Sequence, residues 1–293
     1  MAATPRRTVL QRMTSILVIL LLVWVAWIAV AWFFQGVIIF PRGMAAGRTM
    51  LGPPVGVTSW SLDIGEDKPV EAWYVPSTSE GPCPAVVILH GNGELIDDLI
   101  ATAQTMAARG FHVLLPEYRG YGRSGGTPSE RAIVGDAVAF VRRLQTQPDV
   151  DSNHIAFIGR SIGCGVAAGV AATEPPASMI LMMPPARLDS MAWRLGVPPY
   201  VIRHPFRTDQ VIGDLKMPIL ILARSHDEII PASHPRRLHE LAADSELIII
   251  DGTHNAVASD EAAKRQRAAI GAFLLTHGRA DESNTVRGNT PDR

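Results

Sequence analysis

Ile155-Ala156-Phe157-Ile158-Gly159-Arg160-Ser161-Ile162-Gly163-Cys164-Gly165-Val166-Ala167-Ala168 decides the fold. Residues 155–158 are an apolar run of strand length, and the small residues of 163–172 predict a helix that packs closely on whatever lies beneath it. Between them stands Gly159-Arg160-Ser161-Ile162-Gly163, a Gly-x-Ser-x-Gly string on a strand-to-helix turn. Such a turn holds a serine on strained backbone with its hydroxyl exposed, and flanking glycines let strand and helix approach without collision. The string also arises by chance, so its placement carries more weight than its letters.

Outward from this centre the same rhythm repeats. Upstream come an apolar strand at 85–89, a helix near 97–109, a strand at 112–115 and a helix at 130–144. Downstream come strands at 179–182, 219–222 and 247–250, with helices near 235–242 and 259–275. Strands that alternate with helices and are apolar throughout predict a parallel sheet covered on both faces. Residues 60–64 and 70–75 alternate around Gly65-Glu66-Asp67, which predicts an antiparallel hairpin at the start.

Sheets of this kind gather ligands at the carboxyl ends of their strands, and three candidate side chains fall there in the order Ser, Asp, His. Ser161 is the candidate nucleophile. Asp227, in Ser225-His226-Asp227-Glu228, follows the strand at 219–222, and His254, in Asp251-Gly252-Thr253-His254-Asn255, follows the strand at 247–250. A serine hydroxyl needs a base to take its proton, a carboxylate to orient that base, and donors for the oxyanion. The candidate donors are the backbone N–H groups of Ile162 and of Asn92, the latter in His90-Gly91-Asn92-Gly93 after the strand at 85–89. Glu228 and Asp251 compete with Asp227 for the acid role, and His226 with His254 for the base.

On these residues the chain resembles the α/β-hydrolase superfamily, particularly its single-pass, membrane-anchored serine hydrolases with little or no cap. The resemblance covers about 60–275 and rests on His90-Gly91-Asn92-Gly93, on Tyr118-Arg119-Gly120-Tyr121-Gly122-Arg123-Ser124-Gly125, on the turn at Ser161, and on the Asp227 and His254 loops. It implies Ser161, Asp227 and His254 as nucleophile, acid and base, and neither a metal nor an organic cofactor. The chain departs from the family pattern at Glu117, where aspartate is more usual, and over 184–215, whose clustered Pro, Trp and Arg match no family motif.

Residues 14–34 carry no charged side chain and are long enough to cross a bilayer, which needs about 20 residues. Arg6, Arg7 and Arg12 precede them, so the expectation is a single-pass helix with a cytoplasmic N-terminus and an exported domain. A cleaved signal peptide ending near Ala29-Val30-Ala31 is the competing expectation. The expected organisation is an N-terminus at 1–13, the anchor and its exit at 14–40, a linker at 41–59, an α/β-hydrolase domain at 60–277 with 184–215 as a candidate lid, and a disordered tail at 278–293.

Composition narrows the function. The formal net charge of the 293 residues is -1, with basic residues scattered, which argues against a nucleic-acid partner. Cys83 and Cys164, the two cysteines, supply neither a disulfide framework nor paired zinc ligands. Two glycine-rich stretches imitate a dinucleotide fingerprint. The one at 120–125 does not lead directly into a helix, and the one at 163–168 leaves the Asp227 and His254 loops unexplained. The expected function is therefore a serine hydrolase cleaving an ester, thioester or related acyl bond of a small-molecule or lipid substrate through an acyl-enzyme. A peptidase or amidase on the same fold, or a silent membrane-anchored scaffold, are the alternatives. Oligomeric state has no signature in the sequence.

Overall fold

The short apolar runs at 85–89, 112–115, 179–182 and 219–222 form strands buried on both faces. The computed structural model describes residues 8–45, 47 and 49–278; Arg6, Arg7 and nearly all of the expected tail at 278–293 lie outside the described residues. Eight strands form one sheet in the order β1-β2-β4-β3-β5-β6-β7-β8. They are β1 Thr58–Leu62, β2 Val70–Val75, β3 Cys83–Leu89, β4 His112–Pro116, β5 Val150–Arg160, β6 Ser178–Met182, β7 Ile219–Arg224 and β8 Ser245–Ile250. β1 and β2 pair antiparallel, as does β2 with β4, and every other pairing is parallel. The mostly parallel, two-sided sheet expected from the alternation is present.

Among the described residues seven α-helices accompany it: α1 Val9–Ile39, α2 Ile96–Ala107, α3 Glu130–Gln145, α4 Ile162–Ala171, α5 Thr208–Val211, α6 Ser233–Leu241 and α7 Asp260–His277. Local chemistry sets their starts. The hydroxyls of Ser129 and Ser259 accept from the N–H groups of Ala132 and Ala262, each at 3.2 Å, satisfying a donor that the first turn leaves free. Alternate residues of each central strand then feed two core layers. Val87 and Phe157 point with Ile133, Phe140 and Val166 toward α3 and α4, whereas Val86 and Ile158 point with Ile96, Phe273 and Leu274 toward α2 and α7.

Several elements differ in extent from the sequence expectation. β5 is eleven residues long because Val150 also pairs with Cys83, across a register shift between Cys83 and Ala85. The polar Asp151, Ser152 and Asn153 hide that extension from an apolar pattern. The stretch 41–59 is more than a connection. Its 3₁₀ turn Arg42–Ala45 lies against the glycines of two motif loops, with Met44 beside Gly93 and Arg42 beside Gly120. Residues 184–215 fold into three 3₁₀ turns, Asp189–Leu195, Pro199–Val201 and Ile212–Asp214, with α5 between the last two.

Helix α1 has 31 residues, apolar on all sides, and its side chains are exposed along most of their length. It is the one described helix long and apolar enough to cross a membrane. Its C-terminal end is tied to the domain, since Gln35 and Phe40 are buried and Phe40 stacks edge-on to Phe206.

Candidate active site

Strand β5 ends at Arg160, and the next residue, Ser161, adopts φ 52° and ψ -119° before α4 begins at Ile162. A positive φ at a residue with a side chain is strained, and the surrounding packing holds it. The Ser161 N–H donates to the Met182 carbonyl of β6 at 2.8 Å, locking the turn to the sheet. A Cβ at Gly159 would come within 2.6 Å of the Gly163 carbonyl and 2.7 Å of Cys164 Cα, and one at Gly163 would strike the carbonyls of Leu89 and His90. The two glycines therefore let α4 seat on both its own strand and the loop after β3.

The expected partners converge on this hydroxyl. His254 Nε2 lies 3.1 Å from Ser161 Oγ, and its Nδ1 faces both carboxylate oxygens of Asp227 at 3.0 and 2.8 Å. The His254 and Asp227 side chains are each only 5% exposed, so solvent competes little for their hydrogen bond. The Asp227 carboxylate also accepts from the N–H groups of Ile229 and Ile230 at 3.0 and 2.7 Å, which fixes its rotamer. Glu228 is turned elsewhere and accepts from the His254 N–H at 3.1 Å, holding the loop rather than the ring. His226 and Asp251 engage Ser225 at the surface, and that hydroxyl, followed by His226, lowers the Asp251 pKa. An imidazole held in this way can take a hydroxyl proton and return it to a leaving group.

The loop after β3 stands beside the turn, because Leu89 pairs with Gly159. Its Asn92 is exposed, with Oδ1 accepting from the Tyr121 hydroxyl at 3.2 Å. Ile162 sits at the first position of α4, where a helix leaves N–H groups without intrahelical acceptors. Below the loop, His90 Nε2 meets Glu117 at 2.8 Å with both side chains fully buried. Glu117 also accepts from the N–H groups of Tyr118 and Ile96. Burial opposes a charged His90 ring, yet the Glu117 carboxylate and the Gly91 carbonyl prevail and raise its pKa. Tyr118 closes the brace by donating to the His90 carbonyl at 2.8 Å.

A cluster absent from the sequence expectations borders these groups. Arg160, the variable residue before Ser161, pairs with Glu94 and donates to Asn255 Oδ1 at 3.2 Å, while the other Glu94 oxygen accepts from the Gly91 N–H at 2.6 Å. One ion pair thus joins the serine turn, the Asn92 loop and the His254 loop. Arg224, at the end of β7, is buried with Nε and Nη1 lacking partners among the described residues, and burial, then repulsion from Arg160, lowers its pKa. These residues are far apart in sequence, and no motif links them to one another. A largely apolar cavity of about 910 Å³ runs from Arg160 and Glu94 between α2 and α7, lined by Ile88, Ile158, Met182 and Ile270.

The family described as Serine aminopeptidase, S33, matches residues 80–288. An uncharacterised protein of Mycobacterium tuberculosis strain H37Rv is 34% identical over 210 residues, which are 67% of this chain and 74% of that protein. The lysophosphatidylserine lipase ABHD12 of Danio rerio is 27% identical over 59% of this chain, which spans only 50% of that relative's length. Among solved structures, Est1E from Butyrivibrio proteoclasticus bound to ferulic acid superposes with a TM-score of 0.63 at 19% identity. That superposition covers 74% of this chain and 98% of Est1E, a likeness of fold.

Proposed function

The chain belongs to the Serine aminopeptidase, S33, family of α/β hydrolases, and on that footing we propose that it is a membrane-anchored serine hydrolase that cleaves an ester, thioester or related acyl bond through an acyl-enzyme. Ser161 attacks the carbonyl, His254 takes its proton and delivers it to the leaving group, and Asp227 holds the ring. The backbone N–H groups of Asn92 and Ile162 stabilise the oxyanion. The observation that carries this reading is the line of contacts from Ser161 through His254 to Asp227.

An acylated or lipid substrate is favoured by the largely apolar cavity between α2 and α7, which has Arg160 and Glu94 in its lining. The lipase named among the relatives points to the same class of substrate. The family's own description favours a second reading, a peptidase on the same residues. Short- and long-chain nitrophenyl esters assayed beside peptide amides, with Ser161→Ala as the blank, separate the two. Faster turnover of long-chain esters supports the acyl hydrolase, preference for amides supports the peptidase, and no Ser161-dependent turnover of either contradicts both.

The anchor is α1, and the basic residues before it favour a cytoplasmic N-terminus with the domain at 60–277 on the exported side. Protease added to intact cells or spheroplasts checks this, since an exported domain is digested and a protected one contradicts the orientation.

A further inference from the structure

The 3₁₀ turns at Asp189–Leu195 and Pro199–Val201 lie alongside the apolar helix. The indole N–H of Trp24 donates to the Gly196 carbonyl at 2.9 Å, and that of Trp27 to the Leu195 carbonyl at 2.7 Å. Nearer the domain, the Gln35 amide donates to the Val201 carbonyl at 3.2 Å and accepts from the Arg203 N–H at 2.7 Å. Ile28 and Ala31 pack on Ala192, Val197 and Val201 between these points. From Phe40, where α1 meets the core, back to Trp24 is about 24 Å along the helix axis at roughly 1.5 Å per residue. The insertion therefore follows the helix over its C-terminal half.

We propose that residues 189–203 are a membrane-embedded foot whose partner is the lipid bilayer at its headgroup and upper acyl boundary. The inference rests on α1 crossing the membrane. A helix of 31 residues is about 46 Å long, against about 30 Å of hydrocarbon, so an insertion bonded to its middle cannot stay clear of lipid. Two independent features fit that medium. Irregular backbone at membrane depth must have its polar groups satisfied from within the protein. Trp24, Trp27 and Gln35 do this for the carbonyls of residues 196, 195 and 201.

The insertion also exposes large apolar side chains: Trp193, Leu195 and Tyr200 are 60, 58 and 84% exposed. Arg194 and Arg203 set the depth, because long guanidinium side chains reach back to headgroup phosphates while their stems stay in apolar surroundings. Arg203 already lies over the Trp32 ring at 5.0 Å, at the upper end of the foot. Because the insertion leaves the sheet after β6, next to the Ser161 turn, a foot in lipid holds the mouth of the site at the membrane surface.

The test uses the full chain reconstituted in phosphatidylcholine vesicles, with an environment-sensitive fluorophore on Leu195→Cys or Tyr200→Cys and a reference label on Glu246→Cys, at the far edge of β8. Both native cysteines are buried, so unsubstituted protein gives the background. Lipids with a nitroxide at acyl carbon 5 are expected to quench the labels at 195 and 200 at least twofold, carbon 12 less, and the label at 246 not at all. Labels at 195 and 200 that stay as unquenched as the reference overturn the proposal. If Leu195→Cys fails to fold, Tyr200→Cys carries the test alone. Vesicle flotation reports separately on the anchor, and the quenching needs no turnover, so a Ser161→Ala background separates failure of this inference from failure of the enzymatic reading.

Discussion

Ser161 and His254, separated by 93 positions in the chain, stand with Oγ and Nε2 3.1 Å apart, and the far nitrogen of the same ring is held between the two oxygens of Asp227. In the proposed mechanism the carboxylate fixes which ring nitrogen carries the proton. Asp227→Asn keeps the shape but offers an amide that can favour the wrong tautomer, so kcat on the best ester substrate is expected to fall by about 10⁴-fold. Circular dichroism should stay unchanged, and a loss below tenfold would remove Asp227 from the mechanism.

Glu94 ties Gly91, on the Asn92 loop, to Arg160, beside the serine. Glu94→Gln weakens both ties without removing a proposed donor. Loss of a whole oxyanion donor costs roughly 10²–10³ in kcat, and loosening one should cost less, about tenfold, with KM nearly constant. A variant in which KM rises while kcat holds would place Glu94 in substrate binding instead.

The buried His90–Glu117 pair makes stability depend on pH. The His90 pKa is raised in the folded state, so the pair's contribution is complete below the unfolded value of about 6.5 and is lost as pH climbs through the higher folded value. Thermal melts of the intact protein should fall across that alkaline window, and those of His90→Gln should lack this component. Glu117→Ala, which leaves His90 and two backbone N–H groups without their acceptor, should cost about 3–5 kcal/mol. A cost under about 1 kcal/mol in urea titrations would contradict the role given to this pair.

Gly159→Ala tests the seating of the serine turn. The added methyl meets the backbone of Gly163 and Cys164 rather than a flexible side chain that could swing away. Destabilisation of about 1–3 kcal/mol is expected, with activity lost more steeply than stability because Ser161 shifts with the helix. An alanine variant of wild-type stability and activity would mean that the turn has slack.

Much of this arrangement was legible because it is local. The apolar runs of β3, β6 and β7 and the glycines around Ser161 write their conformation into a few consecutive residues, and the order of Ser161, Asp227 and His254 follows from which strand ends they occupy. What stayed hidden depends on long-range approach. Arg160 is a variable letter inside the serine motif, and nothing near it in sequence points to Glu94 or Asn255. Glu228 competes with Asp227 for the acid role on sequence grounds, and only the fold turns it to the His254 backbone. Trp24 and Trp27 lie within the uncharged run at 14–34, where nothing local marks them, and their indole donors take on a role only with the carbonyls of residues 195 and 196 beside them.

Labelling with a fluorophosphonate probe, followed by peptide mass spectrometry, tests the central claim most directly. The full-length protein in membranes should carry a single phosphonyl adduct on Ser161 and lose it in Ser161→Ala, while Asp227→Asn should label far more slowly. A folded wild-type protein that takes no label, or takes it on another residue while Ser161 stays unmodified, would contradict the account.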